Sequence, residues 1–216
     1  MKTRIFLSAM AFAGVISFLS SCSKDTVAPE VVAPMELKSA VIPAPAPANI
    51  LAGTDVTPIP VCTITGTVTE AEAENLLFMR EEEKLARDVY SYLYLKYKLP
   101  VFNNISKSEN LHLTAVLNLI NGFKITDNSN NNPGEFTNQE LKDLFVALKA
   151  KGDVSVTEAL KVGVDIELKD INDLKDELAV VQNASVKTVY TNLLAGSNAH
   201  LKAFTLNLKV RGVVYP

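Results

Sequence analysis

Cysteine and excess positive charge are scarce in this chain, and each shortage excludes a class of protein. The two cysteines, Cys22 and Cys62, are too few for a disulfide scaffold or for a thiolate zinc site. With 21 basic against 24 acidic side chains, the net charge is −3, so no electrostatic footprint for nucleic acid exists. Beyond the N-terminus there is no run of about 18 uncharged apolar residues, which excludes an internal membrane span.

The first residues have the layout of an export signal. Lys2 and Arg4 precede an apolar run over residues 5–19 that is too short to span a membrane. The run ends in Leu19-Ser-Ser-Cys22, which resembles the bacterial lipobox, where a signal peptidase cuts before a cysteine that is then acylated. We therefore expect residues 1–21 to be a lipoprotein signal peptide and lipidated Cys22 to anchor the exported chain to a membrane of the cell envelope. An ordinary cleaved signal with an incidental cysteine is the alternative.

Proline is concentrated just after this signal. Seven of the ten prolines lie between residues 29 and 60, and prolines alternate with alanines between Val41 and Asn49. Such a composition favours an extended, polyproline-like chain with no fold of its own. We predict a disordered tether over residues 22–66 and one folded domain over residues 67–216.

Helical signals dominate the predicted domain. Apolar residues recur at helical spacing, and capping-box patterns begin at four polar residues, Thr69, Ser106, Thr137 and Ser155. The expected helices cover residues 69–98, 106–122, 137–150, 155–181 with a break near Asp170, and 185–209. No alternating strand of useful length occurs, although residues 213–215 could form a short one. The predicted fold class is therefore all-α.

The connection between the second and third long helices predicts the topology. Residues 121–153 are enough to carry the chain along the length of a helical bundle, with an extra short helix on the way. A single long crossover is the connection of ferritin-like four-helix bundles. We therefore expect such a bundle, although many helical proteins have insertions at this place.

Carboxylates and both histidines recur on the apolar faces of the long helices. Glu109-Asn-Leu-His112 is an E-x-x-H pattern, which places a carboxylate and an imidazole one turn apart on one face. A lone E-x-x-H is weak, because a histidine on a helix is more often a surface or satisfied core residue. Glu83, Glu167 and His200 also fall on the apolar faces of their helices, where an unpartnered charge is costly. The order Glu, Glu-x-x-His, Glu, His is close to the pattern of dinuclear carboxylate sites.

Three further residues of the first helix are open to interpretation. Tyr90 could donate a hydrogen bond to a ligand carboxylate or serve only in packing. Glu81 and Glu82 fall on other faces than Glu83, and we expect them to be exposed to solvent.

The first helix resembles that of rubrerythrin-type ferritin-like proteins, in which an N-L-L segment leads into a metal-binding glutamate followed by Arg and Tyr. Here these residues are Asn75-Leu-Leu, Glu83, Arg87 and Tyr90. The segments 102–112 and 192–204 are still more similar to an exported bacterial ferritin-like family known only as a domain of unknown function (number 2202). The resemblance covers about residues 70–204. It implies a four-helix ferritin-like bundle and, by analogy, a di-iron or related dinuclear site, but no activity.

The resemblance implies a metal-ligating role for five residues. Glu83 is the first-helix carboxylate, Glu109 a bridging carboxylate with His112 beside it, Glu167 the third-helix carboxylate and His200 the second nitrogen ligand. The fourth helix departs from the pattern, because Ser197 stands where a glutamate is expected. Asp170 could supply the missing carboxylate if its helix stays regular; otherwise water fills the place, or only one metal binds well. Two iron ions are the first expectation, with manganese or zinc as alternatives.

Three functions stay open at this point. The first is an envelope-tethered redox metalloprotein acting on peroxide, O₂ or Fe(II). It would need an external electron donor, because the chain has no rubredoxin-like Cys₄ module. The second is a non-enzymatic module that stores or senses metal or binds a protein. The third is a metal-free polar network in a binding protein.

Overall fold

The structure is a computed structural model that describes residues 64–215, which form five helices and no strand. The helices are α1 (Glu70–Tyr97), α2 (Pro100–Gly122), α3 (Gln139–Gly152), α4 (Val156–Val180) and α5 (Ala184–Val210). The predicted all-α class is confirmed, and residues 213–215 do not form the short strand considered from the sequence. The predicted signal peptide, Cys22 and residues 22–63 of the predicted tether lie outside the described residues. Within residues 64–215, no helix combines the length and apolar character needed to cross a membrane.

Side-chain caps fix most of the helix starts. Thr69 and Glu72 form the predicted capping box at the start of α1. Ser155 accepts a hydrogen bond from the backbone N–H of Glu158 and caps α4 as expected. The caps of α3 and α5 are asparagines, Asn138 and Asn183; the cap of α3 therefore lies one residue after the predicted Thr137 cap.

Two sequence-based expectations for the long helices are wrong. The second helix begins at Pro100 rather than near Ser106, because proline is well suited to the first helical position and Leu99 before it is extended. The predicted break near Asp170 is absent, since α4 is continuous from Val156 to Val180. Continuity places Asp170 one turn after Glu167 on the same face.

Two apolar clusters fill the interior of the described domain. The Val189 cluster includes Leu76, Val116, Leu174 and Val189. The Phe204 cluster includes Val89, Phe102, Leu160 and Phe204. Each of the four long helices contributes to both, and on each helix a short stretch of buried polar residues lies between the two contributions. The result is one polar layer with apolar packing on either side.

The order of these clusters along each helix gives the chain direction. Helices α1 and α5 run from the Val189 cluster to the Phe204 cluster, whereas α2 and α4 run the opposite way. α1 packs against α2, and α4 packs against α5. Because α2 and α4 run the same way, residues 123–155 must return along the length of the domain. They contain α3, which packs against α1 and α4.

The asparagine-rich part of this return segment covers one face of α1. The Arg80 guanidinium contacts the Asp127 carboxylate at 3.0 Å, the Asn130 carbonyl at 3.0 Å and the Asn131 side chain at 3.0 Å. The Glu81 carboxylate accepts two backbone hydrogen bonds from residues 137 and 138. Glu81 is therefore only 2% exposed, and the expectation that it lies in solvent is wrong.

Glu72 connects the start of α1 to the link between α4 and α5. Its carboxylate accepts backbone hydrogen bonds from Thr69, Gln182 and Asn183 at 2.8 to 2.9 Å. Burial alone would raise the pKa of Glu72, but these N–H donors lower it to about 2.

Candidate metal centre

The polar layer contains all six residues that the sequence singled out as ligands. These are Glu83 of α1, Glu109 and His112 of α2, Glu167 and Asp170 of α4, and His200 of α5. Each is at most 8% exposed. Apolar clusters lie on both sides of the layer, so an unpartnered charge inside it is costly.

Glu109 stands at the middle of the layer. Its Oε2 atom lies 2.8 Å from His112 Nδ1, and its Oε1 atom lies 2.9 Å from His200 Nδ1. The two imidazole rings face each other with centroids 5.4 Å apart. The Glu109 carboxylate thus contacts two imidazoles, one with each oxygen. A carboxylate needs this orientation in order to bridge two metal ions.

Glu83 and Glu167 extend this arrangement toward α1 and α4. Glu83 Oε2 lies 3.3 Å from His112 Nδ1, and Glu167 Oε2 lies 3.5 Å from His200 Nδ1. Nδ1 of each imidazole therefore faces two carboxylates, Glu109 and one other. Glu109, His112 and His200 each offer a ligand atom, and these atoms lie within 4.8 Å of one another.

Asp170 occupies the side of the layer where the fourth helix lacks a carboxylate. The Ser197 hydroxyl donates a hydrogen bond to Asp170 Oδ2. The other oxygen, Asp170 Oδ1, is buried and has no hydrogen-bond partner within residues 64–215, and the same is true of Glu83 Oε1. Unpartnered buried carboxylate oxygens are costly, and a bound cation is one way to satisfy them.

Three neighbouring residues hold these side chains in place. The Tyr90 hydroxyl donates to Glu167 Oε1 at 2.6 Å, so the hydrogen bond considered from the sequence is present. Ser108 Oγ lies 2.9 Å from His200 Nε2, which leaves Nδ1 of that ring facing the carboxylates. Gly196 leaves room for the His112 ring, because a Cβ atom there would lie 2.5 Å from His112 Nε2.

Burial and mutual charge move the pKa values of this layer apart. Burial raises the pKa of Glu83 to about 7, and burial with the Glu109 charge raises that of Glu167 to about 7. Burial alone would raise the pKa of Glu109 and lower that of His200, but their charged neighbours outweigh it. The two imidazoles hold the pKa of Glu109 below its ordinary value, and Glu109 with Glu167 raises the pKa of His200 to about 10. Burial and neighbouring carboxylates raise the pKa of Asp170 well above its ordinary range.

Glu82 is a buried neighbour of this layer that the sequence reading placed in solvent. It is 4% exposed, and its Oε1 atom forms an ion pair with Lys169 of α4. The expectation failed because the helical period assigns α1 one apolar face, whereas α2, α3, α4 and the return segment cover α1 on several sides.

Two residues of the site went unrecognised in the sequence, and both had a signal. The sequence places Ser108 within a capping box at 106–109, but in a helix that begins at Pro100 it is an interior residue and contacts His200 of α5. Gly196 lies in the interior of a long helix, where a glycine usually has a packing reason.

Comparisons with known proteins place the chain in a family. The family model described as "Uncharacterized protein domain (DUF2202)" matches residues 72–216. The uncharacterized protein MJ0754 of Methanocaldococcus jannaschii is 45% identical over 149 residues, which is 68% of this chain and 80% of the relative. A crystal structure of hypothetical protein MJ0754 from Methanococcus jannaschii DSM 2661 superposes with a TM-score of 0.70 at 43% identity and covers 71% of this chain and 89% of that one. The chain belongs to the DUF2202 family.

Proposed function

We propose that the helical domain is a ferritin-like four-helix bundle that binds a pair of divalent metal ions, with iron as the first expectation, in its polar layer. The long helices supply Glu, Glu-x-x-His, Glu and His in that order, and a long return segment joins α2 to the parallel α4. Both features are those of ferritin-like carboxylate bundles. Manganese and zinc suit the same oxygen and nitrogen donors.

The position of Glu109 is the observation that carries this proposal. Its two oxygens lie 2.8 and 2.9 Å from nitrogens of two different histidines. A hydrogen-bonded core network needs only one carboxylate for each imidazole, whereas Nδ1 of His112 and Nδ1 of His200 each also face a second carboxylate, Glu83 and Glu167, as ligands gathered around a metal ion do. Glu83 and His112 would hold one ion and Glu167 and His200 the other, and Glu109 would be shared between the two.

The charge of the layer favours the same conclusion. Four buried carboxylates face two imidazoles, and within residues 64–215 no lysine or arginine forms an ion pair with any of the four. Two divalent ions would bring four positive charges to four carboxylates. They would also give partners to the free oxygens of Glu83 and Asp170, so Asp170 takes the place of the carboxylate that Ser197 replaces.

The surrounding residues have defined tasks in such a centre. Tyr90 fixes the orientation of Glu167, and Ser108 fixes which nitrogen of His200 faces inward. A bound dinuclear iron centre would supply redox chemistry toward O₂, peroxide or Fe(II), with electrons from an external donor. We also propose that the chain is exported and held at the envelope through lipidated Cys22.

Thermal unfolding with and without metal tests the proposal. A metal at about 100 times its Kd stabilises the folded state by about 2.7 kcal/mol. For a domain of this size we expect a rise in Tm of about 5–11 °C on adding Fe(II) or Mn(II) to chelator-treated protein. Glu109→Gln should abolish this rise while the variant still unfolds cooperatively. A wild-type Tm that is indifferent to metal and chelator would favour a metal-free network.

A further inference from the structure

One end of the helical domain exposes apolar side chains to solvent. At this end, which is the end of the Phe204 cluster, α1, α3 and α5 finish and α2 and α4 begin. Four of the six most exposed large apolar side chains of residues 64–215 lie there: Leu95 (67% exposed), Val154 (74%), Val210 (56%) and Val214 (96%). Exposed apolar residues that share one surface mark an interaction site more often than scattered ones do.

The same end is strongly basic. We define the basic end as three segments that carry seven basic and two acidic side chains: residues 91–104, 149–161 and 205–215. The three segments of the opposite end carry three basic and seven acidic side chains: residues 64–77, 117–127 and 173–187. Lys98, Lys209 and Arg211 of the basic end are exposed and form no ion pair within the described residues. Their charges are therefore available to an anionic partner.

Hydrogen bonds hold the parts of the basic end together. The Tyr97 hydroxyl donates to the Gly152 carbonyl at 2.7 Å, which fixes the end of α1 beside the turn from α3 to α4. Lys151 Nζ lies 3.3 Å from the Tyr215 hydroxyl, which fixes the C-terminal segment to the end of α3. The exposed apolar residues therefore belong to parts of the chain that contact one another.

Tyrosines and lysines alternate around these apolar residues. Four of the six tyrosines of the chain belong to the basic end, and each has a lysine ammonium 4.2 to 5.5 Å from the centre of its ring. Tyrosine rings and lysine stems both have an apolar body and a polar tip, which suits the boundary between lipid headgroups and acyl chains. Helix dipoles alone would account for basic residues near helix C-termini, but not for the exposed valines and leucine.

The chain before the domain joins it at the opposite end. Ile64 packs against the Val189 cluster, and the Thr65 N–H donates to Ser185 Oγ at 3.2 Å. The 42 residues from Cys22 to Ile64 can span at most about 140–150 Å. The 28 residues of α1 are about 42 Å long. An anchor at Cys22 therefore leaves the basic end free to reach the membrane that holds the anchor.

We propose that the basic end docks on an anionic phospholipid surface, with its exposed apolar residues among the headgroups and its basic side chains on the lipid phosphates. This inference rests on the proposed anchor at Cys22 and is independent of the metal centre. The domain lies against the membrane by its far end, and its acidic end faces away. The apolar residues favour a lipid surface over an acidic protein or a nucleic acid, because a purely ionic partner would leave them in water.

Tryptophan fluorescence of the full-length lipidated chain in vesicles tests this docking. The chain has no tryptophan, so Val214→Trp gives a single reporter at the basic end. Val180→Trp is the matched control, because Val180 is 64% exposed and ends α4 at the opposite end. The vesicles contain phosphatidylcholine with about 30% phosphatidylglycerol and carry bromine on the acyl chains, which quenches a reporter that enters the bilayer. We expect Val214→Trp to lose at least about half of its fluorescence and Val180→Trp less than about a tenth.

Two changes test the role of charge. Vesicles of phosphatidylcholine alone, or 1 M salt, which shortens the screening length to about 3 Å, should reduce the quenching of Val214→Trp at least about threefold. The combined substitutions Lys98→Gln, Lys209→Gln and Arg211→Gln should reduce it as much, because they remove exposed charges that have no acidic partner in the described domain.

The outcomes separate this inference from the proposed function. Absence of quenching in Val214→Trp on anionic vesicles would overturn the docking and leave the anchor and the metal centre intact. Equal quenching of the two reporters, or quenching that is indifferent to lipid charge and salt, would overturn it as well. Flotation of the same samples tests the anchor, because a chain without acylated Cys22 does not float with phosphatidylcholine vesicles. In that case flotation with the anionic vesicles decides, since the docking predicts it and its absence contradicts the docking.

Discussion

Gly196→Ala gives a sharp test of the position of His112. A Cβ atom at residue 196 would lie 2.5 Å from Nε2 and 2.6 Å from Cε1 of the His112 ring. The ring cannot retreat easily, because its Nδ1 atom, bonded to Cε1, is already 2.8 Å from Glu109 and 3.3 Å from Glu83. A full van der Waals contact would require the ring to move by about 1 Å, and overpacking of this kind costs about 1–3 kcal/mol.

The higher helix propensity of alanine opposes this cost, so the sign of the change in the free energy of unfolding shows which of the two is larger. Replacing an interior helical glycine with alanine stabilises a helix by about 1 kcal/mol when nothing obstructs the methyl group. We therefore expect Gly196→Ala to lower the free energy of unfolding by about 1 kcal/mol net, which is about 2–4 °C in Tm for a domain of this size. Metal affinity should fall at least about tenfold, because ligand positions tolerate only small displacements.

Chemical unfolding and Co(II) titration of the same samples measure both effects. Gly152→Ala is the control, because a Cβ atom there meets the Leu93 side chain at 2.8 Å and no residue of the candidate centre. It should leave the Kd for Co(II) unchanged. The reasoning fails if Gly196→Ala is more stable than wild type and binds Co(II) equally well, since the His112 ring would then not lie against Gly196.

Three other variants test separate parts of the structure. Asp170→Asn should reduce the Co(II) stoichiometry from two to one per chain, because it removes the carboxylate that replaces the missing fourth-helix ligand; an unchanged stoichiometry would contradict this role. Glu72→Gln should lower the free energy of unfolding at pH 7 by about 1–2 kcal/mol, after allowance for partial exposure. Because the folded pKa of Glu72 is about 2, below its ordinary 4.5, this stabilisation is complete above about pH 4.5 and is lost as the pH falls toward 2. Urea unfolding from pH 2 to 7 should show the gap between wild type and variant closing over that range, and a gap independent of pH would refute the assignment. Arg80→Met should destabilise the domain by about 2 kcal/mol and expose residues 123–138 to limited proteolysis, whereas an unaltered cleavage pattern would mean that Arg80 does not hold this segment.

The helical fold could be predicted from the sequence because its signals are local. Capping residues and apolar periodicity give the helices, and the capping box at Thr69 and the cap at Ser155 stand where expected. The polar pattern at Ser106 predicts the start of α2 six residues too late, because Pro100, whose fixed backbone angle suits a first helical position, begins the helix instead. The break expected near Asp170 does not occur, because tertiary packing on the face of Leu160 and Leu174 keeps α4 regular.

From the sequence, the candidate site could be predicted only through residues that share the apolar face of a helix. Glu83, Glu109, His112, Glu167 and His200 could be named because each shares a face with apolar residues, and the structure brings them together. The burial of Glu81 and Glu82 could not be foreseen, since it depends on contacts with the return segment and with α4 that are distant in sequence. The ion pair between Glu82 and Lys169 joins residues on different helices, and no local pattern predicts such a pair.

The metal content of the protein tests the central claim most directly. The full-length chain would be purified in detergent without an affinity metal column, reconstituted with Fe(II) under exclusion of air and freed of loosely bound ions before elemental analysis. The proposed centre predicts about two metal ions per chain in the wild type and a large loss in Glu109→Gln, which removes the bridging carboxylate. Less than about 0.2 metal ions per chain in the wild type, with no uptake on reconstitution, would contradict the account and leave the polar layer as a metal-free network of the core.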